Sequence, residues 1–211
     1  HRLYNVNEFI QELLLLKQKY NLFYIEDIKL SDIGNIIPYK IHQFIGLMDA
    51  ITSHTISGED MILNVINTLA SFDSLQNNNL INNNLINNNI IKNNKCGLII
   101  IAELSTKNHL MNDLYLNETL NIINKNNIHI CGIVAQQKSI HKLRYETPYK
   151  SSKYITFSPG INLFLSNDQF GQQFNTLQNI NPLSLGMFWI IGRGLYQSTN
   201  LLNDMTTYKE L

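Results

Sequence analysis

The chain carries no surplus of charge: sixteen Lys and Arg balance sixteen Asp and Glu over 211 residues. That balance excludes a bulk basic field of the kind that gathers nucleic acid or an anionic membrane surface, so any bound anion must be held locally. Cysteine is scarce as well. Cys96 and Cys131 each open an apolar, strand-like run and have no metal-type spacing, which predicts free buried thiols in a reducing compartment. No apolar stretch approaches the roughly 20 residues of a bilayer span, and the N-terminus has no signal-peptide apolar core, so the chain reads as soluble and cytoplasmic. His42, His109, His129 and His141 lack ligand spacing to Cys or acidic residues, and no metal is expected. The length suits one domain with a substantial core.

What the chain does contain is a charged cluster set into an apolar stretch, Tyr24-Ile25-Glu26-Asp27-Ile28-Lys29-Leu30-Ser31-Asp32-Ile33-Gly34-Asn35. The continuous run Leu22 to Ile25 predicts a strand buried on both faces of a parallel sheet, and Gly34 ends it. Strand side chains alternate, so Asp27 and Lys29 should point the same way, about 6 to 7 Å apart along the backbone, and their charged ends can meet. Asp32 falls just past the strand, where the backbone can aim it into the same site or towards a partner subunit. A lysine held between two carboxylates keeps its proton and can act as an acid. Taken alone, Asp-x-Lys-x-x-Asp also describes a solvated ion pair at a strand end.

Helix and strand patterns alternate along the rest of the chain, as in an α/β fold. Helical spacing of Phe9, Ile10, Leu13, Leu14 and Leu16 predicts a helix from Val6 to Tyr20 with one buried face. Further helices are expected at Ile37 to Ile45, Glu59 to Ala70, Leu116 to Asn124 and Thr176 to Ile180. Strands are expected at Leu47 to Ser53, Gly97 to Glu103, Ile128 to Ala135, Tyr154 to Phe157 and Phe188 to Ile191. A polar loop carrying Lys138, Lys142 and Arg144 precedes the Tyr154 strand. Between about residues 76 and 95, Leu-Ile-Asn-Asn-Asn recurs at Leu80 and Leu85, a low-complexity tract that predicts a disordered surface insertion without catalytic function. Six strands, each with polar or glycine-containing sequence at its C-terminal end, point to a β/α barrel whose site is built from the loops on that face. A full barrel has eight strands, and the missing two are expected to precede His1.

The strand ends carry the candidate chemistry. Gly192-Arg193-Gly194 suits an oxyanion, since glycines let backbone N–H groups approach and Arg offers a planar fork; it also describes a glycine-bounded turn with a surface Arg. Gly171-Gln172-Gln173 offers amides to a planar uncharged base or a phosphate, or is simply a polar loop. Ser105 follows a buried strand and can meet a ligand or cap a helix. His54 ends a strand with no carboxylate evident beside it, and reads as packed.

In series, Glu26 to Asn35, Ala102-Glu103-Leu104-Ser105, Ser158-Pro159-Gly160, Gly171-Gln172-Gln173 and Ile190 to Gly194 resemble the orotidine 5'-phosphate decarboxylases, whether free-standing or the C-terminal half of bifunctional UMP synthase. The resemblance covers the chain nearly end to end. It implies a (β/α)8 barrel acting as a homodimer, which converts orotidine 5'-monophosphate to UMP in pyrimidine biosynthesis without metal or organic cofactor. By position, Asp27 would crowd the substrate carboxylate, Lys29 would stabilise the carbanion at C6 and deliver its proton, and Asp32 would reach the neighbouring subunit's site. Ser105 and Gln172 match contacts to the pyrimidine and the phosphate end, Pro159 lines the pocket, and Gly192 with Arg193 matches the phosphate grip. The chain departs from the family at Ile36, where a threonine is usual, and at Phe174, where a tyrosine is usual; it also lacks the first two strands and ends inside the last helix. Two other readings stay open: a non-catalytic nucleotide-binding remnant, and a related sugar-phosphate decarboxylase of the kind that can use Mg²⁺.

Overall fold

The computed structural model describes residues 6–42, 47–77, 96–126, 129–145, 154–163, 165, 168, 171–176, 180 and 186–210. Six strands are hydrogen-bonded in chain order: β1 (Ile25–Leu30), β2 (Ala50–Ser53), β3 (Gly97–Ile101), β4 (Ile130–Val134), β5 (Ile155–Ser158) and β6 (Phe188–Trp189). The pairs β1/β2, β4/β5 and β5/β6 are parallel. The helices are α1 (Val6–Tyr20), α2 (Ile36–His42), α3 (Glu59–Asn77), α4 (Asp113–Lys125), α5 (Gln137–Tyr145), α6 (Arg193–Tyr196) and α7 (Leu201–Lys209). The chain divides into two compact units, His1–Ile99 with Asn126–Ile130, and Ile100–Lys125 with Cys131–Leu211.

In the first unit the core forms where helical spacing meets a fully apolar strand. Ile37 and Ile41, one turn apart on α2, are wholly buried, as are Ile62 and Val65 on α3 and Ala50 and Ile51 on β2. Asp49 ties α1 to the start of this sheet. Its carboxylate lies 2.8 Å from Lys17 Nζ and accepts the Tyr24 backbone N–H at 2.7 Å, and the Asp49 and Ala50 N–H groups both donate to the Tyr24 carbonyl. Lys17 also donates to the Leu47 carbonyl at 3.1 Å, so a single ion pair closes the corner between helix, strand and loop.

The second unit is built on Ile100, Ile101 and Ala102 of β3 and its end, with Leu116, Leu120 and Ile123 of α4, Ile133 and Val134 of β4, and Ile140 and Leu143 of α5. A smaller cluster gathers Ile161, Leu163 and Tyr208, packed by Trp189, Ile191 and Leu195. There the Tyr208 hydroxyl accepts the Leu163 N–H at 3.2 Å.

Several expectations need correction. Leu22 and Phe23 precede the first strand and are exposed, and Ile25 is 37% exposed, so β1 is not buried on both faces; among the described residues it is an edge strand, with only β2 beside it. Among the described side chains of α1 only Leu14 is buried, while Phe9 and Leu16 are exposed, so its apolar face is narrower than the spacing suggests. The stretch read as a polar loop is α5, because Ile140 and Leu143, three residues apart, provide a buried stripe beneath its charged residues. Helix α3 runs on to Asn77, into the Asn-rich tract; residues 78–95 lie outside the described residues. So does most of the helix expected at Thr176 to Ile180, at residues 177–179.

Replacing Asp49 with Ala leaves the Lys17 ammonium and the Tyr24 amide without their shared acceptor, and urea unfolding should show a loss of about 1.5 to 3 kcal/mol. Neither Cys96 nor Cys131 is in a disulfide, and burial pushes the Cys131 thiol up to about 11. The unfolded thiol ionises near about 8.5. Between those values the folded chain holds a proton that the unfolded chain has lost, so this contribution falls as pH rises. The decline of the urea midpoint from about pH 8.5 to 11 should be shallower in Cys131→Ala.

Candidate active site

Each unit carries its own cluster of the residues singled out above. In the first, Asp27 and Lys29 form an ion pair, and both are exposed. Their meeting is not the simple outcome of strand alternation. Between the pairs Glu26↔Ile51 and Leu30↔Ser53, β1 advances four residues while β2 advances two, and Lys29 takes a left-handed backbone with φ of 49°. A bulge of this kind re-aims side chains, and a non-glycine residue in that region is held there by its surroundings.

The surroundings here are Thr52 of β2, which is 5% exposed. Its Oγ1 accepts the Lys29 backbone N–H at 2.9 Å and donates to Asp27 Oδ1 at 2.9 Å. One hydroxyl thus fixes both the carboxylate and the strained backbone of its lysine partner. An exposed ion pair adds little stability, so the worth of this arrangement is the placement of an ammonium and a carboxylate side by side at the bulge.

Asp32 is placed otherwise than in a Lys29 sandwich. Its Oδ2 pairs with Lys40 Nζ at 2.7 Å, and its Oδ1 accepts the Ile33 N–H at 2.9 Å. The Lys40 ammonium first, and the Ile33 amide second, hold the Asp32 carboxyl below the usual carboxylate range. Lys29 therefore has one carboxylate partner among the described residues, Asp27, and the lysine on Asp32 comes from α2.

In the second unit Ser105, Gln172, Pro159 and Arg193 are brought into one connected region. The Ser105 carbonyl accepts both the Gln173 N–H at 2.8 Å and Gln172 Nε2 at 3.2 Å. Gly160 is enclosed against this junction. With φ of 71° it takes a conformation that glycine favours, and a Cβ there would stand 2.8 Å from Ser105 Cβ and 2.9 Å from the Gln173 carbonyl oxygen. The Ser-Pro-Gly turn is thus specified by close approach, with Pro159 buried beside it.

Arg193 begins the short helix α6, with Gly192 at its N-cap. Its Nη1 is paired with Asp168, and its guanidinium carbon lies 5.4 Å from the centre of the Phe174 ring. The ring thus supports the cation by its face. Asp168 Oδ1 accepts the Gln172 N–H at 2.9 Å.

Ser105 also lines a cavity of about 350 Å³, together with His109, Gln136, Gln173, Phe174 and Asn175. Gln136 is anchored by its backbone N–H on the Glu103 carboxylate at 2.8 Å and by its Nε2 on the Leu104 carbonyl at 3.0 Å; Asn175 Nδ2 donates to Gln136 Oε1 at 3.4 Å. A wall of neutral amides and a hydroxyl suits a planar ligand with alternating donors and acceptors. Among the described residues, no three His, Cys, Asp or Glu side chains gather as a metal site would require.

Sequence reading missed Thr52, Lys40, Asp168, Gln136 and Asn175. A polar residue inside the buried run of β2 was a usable signal for Thr52, and the position just after β4 was one for Gln136. Lys40 and Asp168 carry no local signal, since each acts through a partner brought to it by a turn.

A family model described as "Orotidine 5'-phosphate decarboxylase / HUMPS family" matches residues 6–208. The chain is 24% identical over 208 residues to the orotidine 5'-phosphate decarboxylase of Rhizopus oryzae, covering 96% of this chain and 68% of the relative. It is 26% identical over 211 residues to the uridine 5'-monophosphate synthase of Naegleria gruberi, covering 97% of this chain and 37% of that protein. Among solved structures it is similar to the orotidine 5'-monophosphate decarboxylase of Methanocaldococcus jannaschii in complex with the inhibitor BMP, with a TM-score of 0.65 and 20% identity over 95% of this chain and 78% of the other. The enzyme from Sulfolobus solfataricus matches with a TM-score of 0.60 and 20% identity, over 95% and 81% of the two chains. These likenesses show the fold, and the α/β class with a partial (β/α)8 barrel stands.

Thr52→Val keeps the shape of the side chain but removes both hydrogen bonds, leaving the Lys29 amide without its acceptor. Stability measured by urea unfolding should fall by about 1 to 3 kcal/mol, with Thr52→Ser retaining most of it.

Proposed function

The chain belongs to the orotidine 5'-phosphate decarboxylase / HUMPS family, and from that premise we propose that it decarboxylates orotidine 5'-monophosphate to UMP, the closing step of pyrimidine nucleotide synthesis. The observation that carries the reading is the Asp27 and Lys29 pair, set within β1 at its bulge, where Thr52 holds the Lys29 backbone. Strain kept at a bulge by a specific partner is what a positioned catalytic group looks like.

In the proposed reaction the C6 carboxylate leaves as CO₂ and its bonding pair stays on C6. The Asp27 carboxylate crowds the departing carboxylate, while the Lys29 ammonium stabilises the developing carbanion and then transfers its proton to C6. Lys29 regains a proton from solvent. A fixed ammonium aimed at charge that appears only in the transition state is the kind of interaction that lowers a barrier most. The pyrimidine takes its hydrogen bonds from Ser105 and the amides around it, Gln172 reaches the phosphate end, Pro159 lines the pocket, and Gly192 with Arg193 grips the phosphate. Binding energy at a remote phosphate can help drive the chemistry at C6. No organic or metal cofactor takes part in this scheme.

The working form is proposed to be a cytoplasmic homodimer, in which Asp32 leaves Lys40 for the partner's site. Among the described residues no helix is long and apolar enough to cross a membrane.

A related sugar-phosphate decarboxylase is the second reading that the Asp-x-Lys-x-x-Asp pattern leaves open. The relatives named above, free-standing decarboxylase and UMP synthase alike, favour the nucleotide substrate over that second reading.

Decarboxylation is followed by the loss of the substrate's ultraviolet absorbance. Lys29→Ala should lower turnover at least about 10²- to 10⁴-fold, the range that a positioned general acid contributes, while UMP still binds. Binding of UMP by a folded wild-type chain that shows no turnover would make it a nucleotide-binding remnant, and activity lost on chelation would favour a metal-dependent sugar-phosphate enzyme.

A further inference from the structure

Asp168 joins three parts of the second unit on one carboxylate and its backbone. Its Oδ2 pairs with Arg193 Nη1, and its Oδ1 accepts the Gln172 N–H at 2.9 Å. The main chain repeats the tie: the Asp168 N–H donates to the Gln172 carbonyl at 3.1 Å, and the Gly171 N–H donates to the Asp168 carbonyl at 3.4 Å. Gln172 in turn donates from Nε2 to the Ser105 carbonyl at 3.2 Å. A continuous set of polar contacts therefore runs from Arg193 through Asp168 and Gln172 to Ser105, which lines the cavity.

On charge alone a carboxylate beside a phosphate grip is a liability, because it repels the anion and competes for the same guanidinium. It becomes an asset where it fixes the fork. Arg193 commits Nη1 to Asp168, which leaves Nη2 and Nε for an anion, and Phe174 supports the guanidinium at 5.4 Å. A side chain already held in place loses less freedom when its ligand arrives.

We propose that Asp168 is a positioning residue: it sets Arg193 for the phosphate of the nucleotide. This rests on the phosphate role proposed for Arg193. It assigns no contact between Asp168 and the ligand.

The test is calorimetric titration of the purified protein with UMP and, separately, with uridine. Asp168→Ala should weaken UMP about tenfold, the scale of one charge-assisted hydrogen bond, and leave uridine unchanged. Asp168→Asn keeps an acceptor for the Gln172 amide, so it preserves the loop if the alanine variant does not fold, and should still weaken UMP several-fold. In an Arg193→Ala background, Asp168→Ala should change UMP affinity less than about twofold, because its effect passes through the guanidinium. Equal losses for UMP and uridine, or the full loss persisting without Arg193, would overturn the proposal, as would UMP binding indifferent to replacement of Asp168. A wild-type chain that binds UMP no better than uridine would instead overturn the phosphate role of Arg193, and this inference with it.

Discussion

A parallel strand pair must carry its chain back through a crossover before the next strand can begin, and this constraint governs everything the structure places. The crossovers are the helices: α2 lies between β1 and β2, and α5 between β4 and β5. Each strand can then be apolar along its length and leave its chemistry to the residues at its end. Glu103 and Ser105 follow β3, Gln136 follows β4, Pro159 follows β5, and Arg193 follows β6. Only β1 admits charge into the strand itself, and it does so at a bulge.

The two clusters use polar groups in different ways. At Asp27 and Lys29 the charges are exposed, and a buried hydroxyl beneath them does the fixing, so the pair is oriented without being desolvated. Around Ser105 much of the order comes from neutral hydrogen bonds, in which the side-chain amides of Gln136 and Gln172 donate to backbone carbonyls and that of Asn175 to Gln136. A ligand meeting such a wall finds donors and acceptors already aligned. Arg193 lies between these styles, a cation held by a carboxylate on one nitrogen and by a ring against its face.

Close approach matters as much as polarity in the second unit. Gly160 leaves no room for a Cβ beside Ser105, and Gly194 leaves none beside the Tyr208 hydroxyl, which is itself bound to the Leu163 amide. Glycine in these motifs is a packing requirement. Burial pushes the Tyr208 hydroxyl above its ordinary range, against a smaller opposing effect of the Leu163 amide, so it stays a neutral part of that small core.

By itself the sequence determined the alternation of helix and strand, the six strands and their order, and the five motifs at the strand ends, because apolar periodicity and glycine placement are local properties of the chain. The family was legible there too, in motifs matched position by position. What only the tertiary structure decided are the partnerships. Nothing local marks Lys40 as the partner of Asp32, Asp168 as the partner of Arg193, or Phe174 as the support of its guanidinium, since each depends on segments brought together by turns far apart in sequence. The left-handed turn at Lys29 belongs to the same class: no residue of β1 requires it, and it exists because Thr52 on the neighbouring strand offers a hydroxyl to the lysine's amide and to the aspartate's carboxylate together.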